Sequence, residues 1–250
     1  MIVTLNELER TCQRAMCALG APAGVDEDAA SAAAWLEARG LPALQALVRA
    51  LDRWGGDPTA ANLTDLSERS DTRRLDAAGR SAAFVAGAII DIAVAAAAEH
   101  GGAATVTVEA LADRQFLLPV ADRRRSRGWS FRLLWGRRSN RPGAGARVDP
   151  DTGIRLFGDW NSLPVGEASD TTIACRKAPS TARPCASGEA LQVTRQAADL
   201  DARLAAVLAA GLTVDDDVWR RLATHAKRAL VPSSHDSRVR GAGPAASDNE

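Results

Sequence analysis

The chain has 250 residues, 46% of them hydrophobic and 25% charged, with a formal net charge of zero. This is an ordinary globular composition, and a neutral chain has no overall field that would draw it to nucleic acid or to a membrane surface. Tyrosine is absent, which excludes tyrosine catalysis, and arginine far outnumbers lysine, as is typical of a high-GC bacterial genome. The N-terminus lacks the pattern of a signal peptide, so we expect a cytoplasmic protein.

The first part of the chain has the periodicity of helices. The tetrad Thr4-Leu5-Asn6-Glu7 predicts a capping box, in which a hydroxyl and a carboxylate bond each other's backbone amides. The acidic cluster Asp26-Glu27-Asp28 predicts the start of a second helix, because negative charge is favourable at the positive end of a helix dipole. Three packed helices are predicted, over 4–20, 26–40 and 42–55.

A loop and a long apolar helix come next. Residues 57–80 are polar and rich in turn formers, and they predict a long loop with one short helix. The alanine-rich segment 82–99 predicts a buried helix and no membrane span, because Asp91 near its middle would cost about 2.5–3.5 kcal/mol in a bilayer. The Asp91 carboxylate either bonds a neighbouring helix end or points into a pocket, and it is a candidate ligand-binding residue.

After residue 101 the pattern changes from helical to alternating. Glycine and proline turns separate the alternating segments and no long helix intervenes, which favours an antiparallel meander over a parallel doubly wound sheet. The predicted strands are 105–108, 115–120, 129–135, 154–157 and 171–175.

The C-terminal part returns to helix. One helix is predicted over 196–210 and another after Asp215-Asp216-Asp217, before the chain leaves helix at Pro232. The predicted fold class is α+β, in one integrated domain. Its parts are an N-terminal helical unit over 1–100, a central antiparallel β-meander over 101–178, and C-terminal helices with a Gly/Ser tail over 179–250.

The tail contains the most unusual cluster of polar residues. The hydroxyls of Ser234 and Ser237 can donate hydrogen bonds, Arg238 can grip a carboxylate or phosphate in a bidentate fork, and Gly241 and Gly243 let the backbone approach closely. These five residues predict a binding site for a small anion. The alternative is a solvated C-terminal tail, which is where most chain ends belong.

A second candidate is an arginine-dense stretch with interleaved aromatics. Trp129, Phe131 and Trp135 lie between Arg123 and Arg147, and such a pattern can hold single-stranded nucleic acid. The alternation on one strand favours another interpretation, in which the aromatics face the core and the arginines protect a solvated strand edge. Nucleic-acid binding is therefore not the leading hypothesis.

Motifs for cofactors and metals are absent. The sequence has no P-loop, no GxGxxG element after a strand, and no CxxC pair or histidine at zinc spacing to a cysteine. The four cysteines are therefore predicted to be reduced core thiols. No cofactor and no metal is assigned from the sequence.

Short segments at both ends of the chain occur together in one known family. They are Ile2-Val3-Thr4-Leu5-Asn6-Glu7-Leu8-Glu9, Trp35-Leu36-x-x-Arg39-Gly40, Trp219-x-x-Leu222, Val231-Pro232-x-Ser234, Ser237-Arg238, Gly241-Ala242-Gly243 and Asp248-Asn249. In these segments the chain resembles a bacterial uncharacterised family, domain of unknown function 3726. The resemblance implies an ordered tail, although Pro244-Ala245-Ala246 departs from the family's glycine-rich ending. It implies no catalytic residue, because the family has no established activity.

The first fifty residues also show a weaker resemblance to the malate/lactate dehydrogenase family that lacks a Rossmann fold. That family places a Ser-His-Gly element with a catalytic histidine shortly after its second helix. Here the same stretch reads Gly40-Leu41-Pro42-Ala43-Leu44. The resemblance therefore implies that dehydrogenase chemistry has been lost from this chain.

Three functions remain open from the sequence. The first is a non-catalytic or accessory protein that binds a small anionic metabolite or a partner subunit, with a homo-oligomer as one form. The second is a distant nicotinamide-dependent reductase of 2-oxo or imino acids. The third is single-stranded nucleic-acid binding, which ranks last because the net charge is zero.

Overall fold

Helices occupy both ends and the middle of the chain. The computed structural model describes residues 1–67, 72–135, 143–158, 160, 166–177 and 193–229. Within these residues the α-helices are α1 (Leu5–Ala18), α2 (Val25–Ala38), α3 (Leu44–Trp54), α4 (Ala82–Glu99), α5 (Leu117–Arg125), α6 (Ala197–Ala210) and α7 (Asp216–Lys227). Short 3₁₀ turns lie at Pro58–Ala61 and Arg114–Phe116.

Side-chain caps fix two of the helix starts that the sequence predicts. The Thr4 hydroxyl accepts a hydrogen bond from the Glu7 amide at 3.1 Å, which is the hydroxyl half of the predicted capping box. The Asp215 carboxylate accepts from the amides of Asp217 and Val218 at 2.9 and 3.0 Å and starts α7. The predictions for α1 to α4, α6 and α7 are confirmed, because local signals of this kind need no tertiary contact.

Strands form one large mixed sheet and one small ribbon. The strands are β1 (Ile2–Val3), β2 (Thr64–Asp65), β3 (Thr72–Asp76), β4 (Ala103–Leu111), β5 (Trp129–Trp135), β6 (Gly145–Asp149), β7 (Gly153–Phe157), β8 (Ser169–Lys177), β9 (Val193–Gln196) and β10 (Leu212–Thr213). The eight-stranded sheet has the order β2-β3-β4-β8-β5-β6-β7-β9, and β1 pairs with β10. Neighbouring strands are antiparallel except for β3 and β4, which are parallel. The predicted α+β class is confirmed.

The prediction of a loop over 57–80 was wrong for its last part. Residues 72–76 form β3, which pairs in parallel with β4 in the register Leu75 to Val108. Only Leu75 of β3 is buried. This polar strand near the sheet edge therefore lacks the alternating apolar pattern from which a strand is predicted. Its parallel pairing makes β3, α4 and β4 a strand–helix–strand unit.

The prediction of a strand over 115–120 was also wrong. This segment is a 3₁₀ turn followed by the start of α5, and Phe116, Leu117 and Leu118 are fully buried. A short apolar run gives the same signal for a buried strand and a buried helix, so periodicity does not separate them. Pro119 is the third residue of α5, where its missing N–H would have had no partner within the helix.

Helix α4 is the core helix of the fold. It packs on β4 and β8 and is covered by α2 and α5, with Ile89, Ile90 and Ala93 fully buried. By length and composition it is the one helix of the described ranges that could cross a membrane, with 18 residues and a mean hydropathy of 1.9. More than half of it is buried inside the protein, which confirms the prediction of a core helix.

Candidate functional site

A cleft lies where the parallel strands β3 and β4 end. Both strands run toward the same edge of the sheet, and the carboxyl ends of such strands are common ligand sites in α/β proteins. The end of α3, the β3–α4 turn and the segment after β4 enclose a cleft of about 260 Å³ at this edge, which we call the β3–β4 cleft. Its walls include Arg53, Trp54, Arg80, Ser81, Phe84 and Asp113.

Backbone strain is concentrated at this cleft. Ala78, Ala110 and Asp113 have φ values of 47°, 51° and 51°, and they are the non-glycine residues with positive φ in the described parts of the chain. The left-handed conformation costs an L-residue about 1–2 kcal/mol. The amide of Gly79 donates to the carbonyl of Ala110 at 2.8 Å and holds the two strained turns together. Such strain clusters at functional sites in proteins.

Two arginines bring positive charge to the cleft. Arg53 Nη1 donates to the carbonyl of Gly166 at 3.1 Å, and Arg80 donates to the carbonyls of Thr59 and Ala77 at 3.1 and 3.2 Å. Neither guanidinium forms an ion pair with a carboxylate among the described residues. A carbonyl positions a guanidinium without neutralising it, and Asp57, a carboxylate that acts electrostatically on Arg80, forms no ion pair with it among the described residues.

An exposed carboxylate beside the arginines is occupied locally. Asp57 accepts hydrogen bonds from the amide and the hydroxyl of Thr59, each at 2.8 Å. These bonds, with a smaller contribution from Arg80, hold the pKa of Asp57 below its ordinary value. Asp57 therefore stays ionised and caps its own turn.

Asp113 forms the floor of the cleft, and two further buried polar residues follow it in the chain. Asp113, Arg114 and Gln115 are consecutive and each is at most 6% exposed. Asp113 accepts a hydrogen bond from the amide of Gly166 at 2.9 Å, Arg114 bonds the Ser169 hydroxyl, and Gln115 donates to the carbonyl of Pro42 at 3.2 Å. This segment is thus fastened to β8 and to the loop between α2 and α3.

The loop between α2 and α3 is the stretch in which the weaker resemblance places a catalytic histidine. Leu41 and Ala43 are fully buried there. Glu37 Oε1 accepts from the amides of Ala43 and Leu44 at 2.8 and 2.6 Å and fixes the start of α3. Burial raises the pKa of Glu37, although these two bonds act in the opposite direction.

The N-terminus of α4 offers no free donors to the cleft. Ser81 accepts from the amide of Ala83 at 3.2 Å, and the amide of Ala82 donates to the carbonyl of Ala112 at 2.8 Å. These first amides are satisfied within the protein. The charged donors that this edge presents to the cleft are therefore the arginine side chains.

Asp91 is the sequence-predicted site residue that the structure describes, and it does not line this cleft. Asp91 lies in α4 ten residues after Ser81, about 15 Å along the helix axis. It forms an ion pair with Arg124 at the end of α5 and lines a separate groove of about 300 Å³ between α2, α4 and α5. The predicted tail residues Ser234, Ser237, Arg238, Gly241 and Gly243 lie outside the described residues, and their role stays a prediction.

The aromatic residues of the arginine-rich stretch are part of the core. Trp129, Phe131 and Trp135 are at most 8% exposed, on the face of β5 that packs inward. They are not available as stacking platforms for bases. The burial of the aromatics agrees with the interpretation in which they face the core and the arginines lie at a solvated strand edge.

Sequence reasoning missed Arg53, Arg80 and Asp113 as site residues. Asp113 and its two polar neighbours stand between the apolar runs 111–112 and 116–118, and that interruption was the available signal. The arginines gave none, because arginine is common in this chain. Among the described residues, no group of three or more histidine, cysteine, aspartate or glutamate side chains could hold a metal ion.

Comparison with known families confirms the first resemblance. The family described as "Protein of unknown function (DUF3726)" matches residues 3–86. That match covers α1 to α3, β2, β3 and the first turn of α4. No curated protein matches the chain in sequence.

Solved structures of similar fold are dehydrogenases and reductases. A dehydrogenase from Sinorhizobium meliloti is 14% identical with a TM-score of 0.67, over 90% of this chain and 99% of that one. Malate dehydrogenase from Entamoeba histolytica is 9% identical with a TM-score of 0.66, over 93% and 99%. A delta1-piperideine-2-carboxylate reductase from Pseudomonas syringae pvar. tomato is 12% identical with a TM-score of 0.58, over 90% and 99%. The weaker resemblance is therefore confirmed at the level of the fold.

Proposed function

We propose that this protein binds a small carboxylate metabolite in the β3–β4 cleft and acts as a non-catalytic or accessory protein of the bacterial cytoplasm. The observation that carries the proposal is the pair Arg53 and Arg80. Both guanidinium groups are positioned by backbone carbonyls, and neither forms an ion pair with a carboxylate of the described chain. Asp57 and Asp113 also line the cleft, so the proposed attraction rests on hydrogen bonds from the two guanidinium groups and not on a net positive charge.

The size and walls of the cleft favour a small acid. A volume of about 260 Å³ lies just below the range of drug-sized sites. Trp54 and Phe84 pack together with ring centroids 4.8 Å apart and give the cleft one apolar wall. A guanidinium binds a carboxylate through two parallel hydrogen bonds, so a short carboxylic acid can use the arginines and the apolar wall together.

The groups at the cleft support a non-catalytic role. Reduction of a carbonyl or imine needs a positioned proton donor near the carbon that accepts hydride. The loop over 40–44 has no histidine, and the acids at the cleft, Asp57 and Asp113, are already bonded to Thr59 and Gly166. Binding without turnover therefore suits these residues best.

A nicotinamide-dependent reductase of 2-oxo or imino acids is the second candidate. The names of the solved structures with this fold favour it. In that case the arginines would hold the substrate carboxylate, and Asp113 would be the proton donor to test. A cofactor difference spectrum on adding reduced nicotinamide dinucleotide, followed by oxidation with an oxo acid, would establish this alternative.

The tail prediction becomes part of the proposal. Its test compares the full chain with a shortened chain ending at Leu230 in the same ligand screen. A ligand response that needs Ser234, Ser237 and Arg238 would make the tail a second binding element. An equal response in both chains would leave binding to the β3–β4 cleft, and a change in oligomeric state would assign the tail to a partner subunit.

Thermal unfolding with a ligand panel tests the main proposal. Malonate, pyruvate, inorganic phosphate and nicotinamide dinucleotides are added to wild type, Arg53→Ala, Arg80→Ala and the control Arg10→Ala, whose exposed arginine lies on α1. An acid at 100 times its dissociation constant adds about 2.7 kcal/mol, or about 5–10 °C for a chain of this size. The shift should survive in Arg10→Ala and fall by about half or more in the two cleft variants, since tenfold weaker binding leaves about 1.4 kcal/mol at the same ligand concentration. An equal shift in all four proteins would reject the site.

A further inference from the structure

The last turn of α3 faces two different parts of the protein. Asp52 Oδ1 lies 2.7 Å from Nε2 of His225 on α7, and its other oxygen bonds Arg221 one turn earlier on α7. The next residue, Arg53, donates to the carbonyl of Gly166 and lines the β3–β4 cleft. Consecutive helix residues are about 100° apart, so one short turn connects α7 to the cleft.

The three residues that join α3 to α7 form a two-point attachment, which we call the α3–α7 clamp: Asp52, Arg221 and His225. The His225 side chain is only 9% exposed, whereas the Asp52 carboxylate that it bonds is 40% exposed. The bonds from His225 and Arg221 lower the pKa of Asp52 although partial burial raises it. Attachment at two positions one helical turn apart restrains both the rotation and the axial position of the α3 terminus.

His225 has a feature that simple core packing does not explain. Its second ring nitrogen, Nδ1, is buried and has no hydrogen-bond partner in the described ranges of the chain. A buried polar atom without a partner is destabilising, and an apolar side chain at this position would avoid that cost. A histidine at this position is therefore better explained by its hydrogen bond to Asp52 than by core packing.

Apart from the clamp, the α3 terminus is held by local bonds between Trp54 and Asp57 and by the bond from Arg53 to Gly166. The closing hydrogen bond from the amide of Gly55 to the carbonyl of Leu51 is 3.4 Å long, beyond the usual range for this bond. Trp54 lies next to Arg53 and is 6% exposed against Phe84 in the cleft wall. A movement of this turn would shift a charged and an apolar wall of the cleft together.

We propose that the α3–α7 clamp positions Arg53 and Trp54 for ligand binding. Helix α7 then affects the ligand affinity of the β3–β4 cleft without lining it. Asp52, Arg221 and His225 are positioning residues and do not touch the ligand. The proposal rests on the proposed function for the role of Arg53. The clamp itself is independent of any ligand, and it can be tested without one.

Matched substitutions at His225 separate positioning from packing. His225→Gln keeps a side-chain N–H for the Asp52 carboxylate, whereas His225→Leu fills the space without a donor. In the full chain, His225→Leu should weaken malonate binding about tenfold, the equivalent of one hydrogen bond to a charged group. His225→Gln should bind malonate within about twofold of wild type, since it keeps that bond.

Hydrogen exchange without ligand gives the second readout. The amides of residues 53–57 should exchange about tenfold faster in His225→Leu than in wild type, because the loss of one such bond opens the turn. Exchange in His225→Gln should match wild type. If His225→Leu does not fold, Arg221→Ala and Arg221→Lys serve instead, because Arg221 is half exposed and its replacement leaves the core intact.

The outcomes distinguish this proposal from the proposed function. Unchanged exchange at 53–57 in His225→Leu would overturn the clamp. Faster exchange with unchanged malonate affinity would overturn its connection to the ligand. A wild-type protein that binds no malonate would count against the proposed function, and the exchange comparison alone would then decide whether the clamp holds the α3 terminus.

Discussion

Replacing Ala78 by glycine should stabilise the protein. Ala78 follows β3 at the rim of the β3–β4 cleft, with a φ of 47° and an exposed side chain. Its amide donates to the Asp76 carboxylate at 2.7 Å, a bond that does not depend on the side chain. The substitution therefore removes strain and almost no packing.

The expected magnitude follows from two opposing effects. Relief of the left-handed conformation gains about 1–2 kcal/mol. The greater freedom of glycine in the unfolded chain costs about 0.4–1 kcal/mol. Ala78→Gly should thus raise the free energy of unfolding by about 0.5–1 kcal/mol, or the melting temperature by about 1–4 °C.

Urea unfolding of matched variants measures this effect. The control is Ala205→Gly, at an exposed alanine in the right-handed helix α6, where the same change should cost about 1 kcal/mol. The two substitutions should have opposite signs. If Ala78→Gly destabilises the protein as much as Ala205→Gly does, the strain assigned to the cleft is absent.

Three further predictions concern the core. Thr171→Val should raise the free energy of unfolding by about 1 kcal/mol, because the buried Thr171 hydroxyl has no partner among the described residues; a loss in urea unfolding would contradict this. Burial raises the pKa of Glu37 above its ordinary 4.5, so its stabilising contribution is present below pH 4.5 and is lost as pH rises through the raised pKa. Glu37→Gln should therefore gain stability relative to wild type between acid and neutral pH, and parallel pH profiles of melting temperature would refute it. Cys17 is exposed and is not the core thiol that was predicted, so a thiol reagent should modify it in the native protein and spare the buried Cys12 and Cys175. Burial raises the pKa of all three thiols, that of Cys175 to about 12, so access to the reagent decides the order of reaction, and early reaction of the buried pair in peptide mass spectrometry would contradict this.

The helices were predictable because their signals are local. The Thr4 and Asp215 caps are the bonds that their positions in the sequence indicate. The core helix α4 was recognisable from its continuous apolar run. Each of these elements is specified by neighbours along the chain, so no knowledge of the sheet was needed.

The elements that escaped prediction depend on distant partners. Strand β3 carries one buried residue, Leu75, and is a strand because β4 lies beside it. The buried run that begins α5 fits a strand equally well until its position between α4 and β5 is known. Pairing and packing decided both segments.

The candidate site could not be predicted from the sequence for a similar reason. Arg53, Arg80 and Asp113 come from three separate parts of the chain, and the parallel pairing of β3 and β4 brings those parts to one edge. The positive φ of Ala78 and Ala110 leaves no mark in the sequence, because neither residue is a glycine. The anion-binding chemistry predicted for the tail and the chemistry of the cleft are alike, but their residues are different.

The central claim is that the β3–β4 cleft binds a small carboxylate through its arginines, and titration calorimetry with malonate tests it most directly. Wild type and Arg10→Ala should bind with the same affinity. Arg80→Ala should bind about tenfold or more weakly, because it loses a hydrogen bond between charged groups worth about 1.5–3 kcal/mol. Equal affinity in all three proteins would contradict the account, because the ligand would then bind outside the cleft.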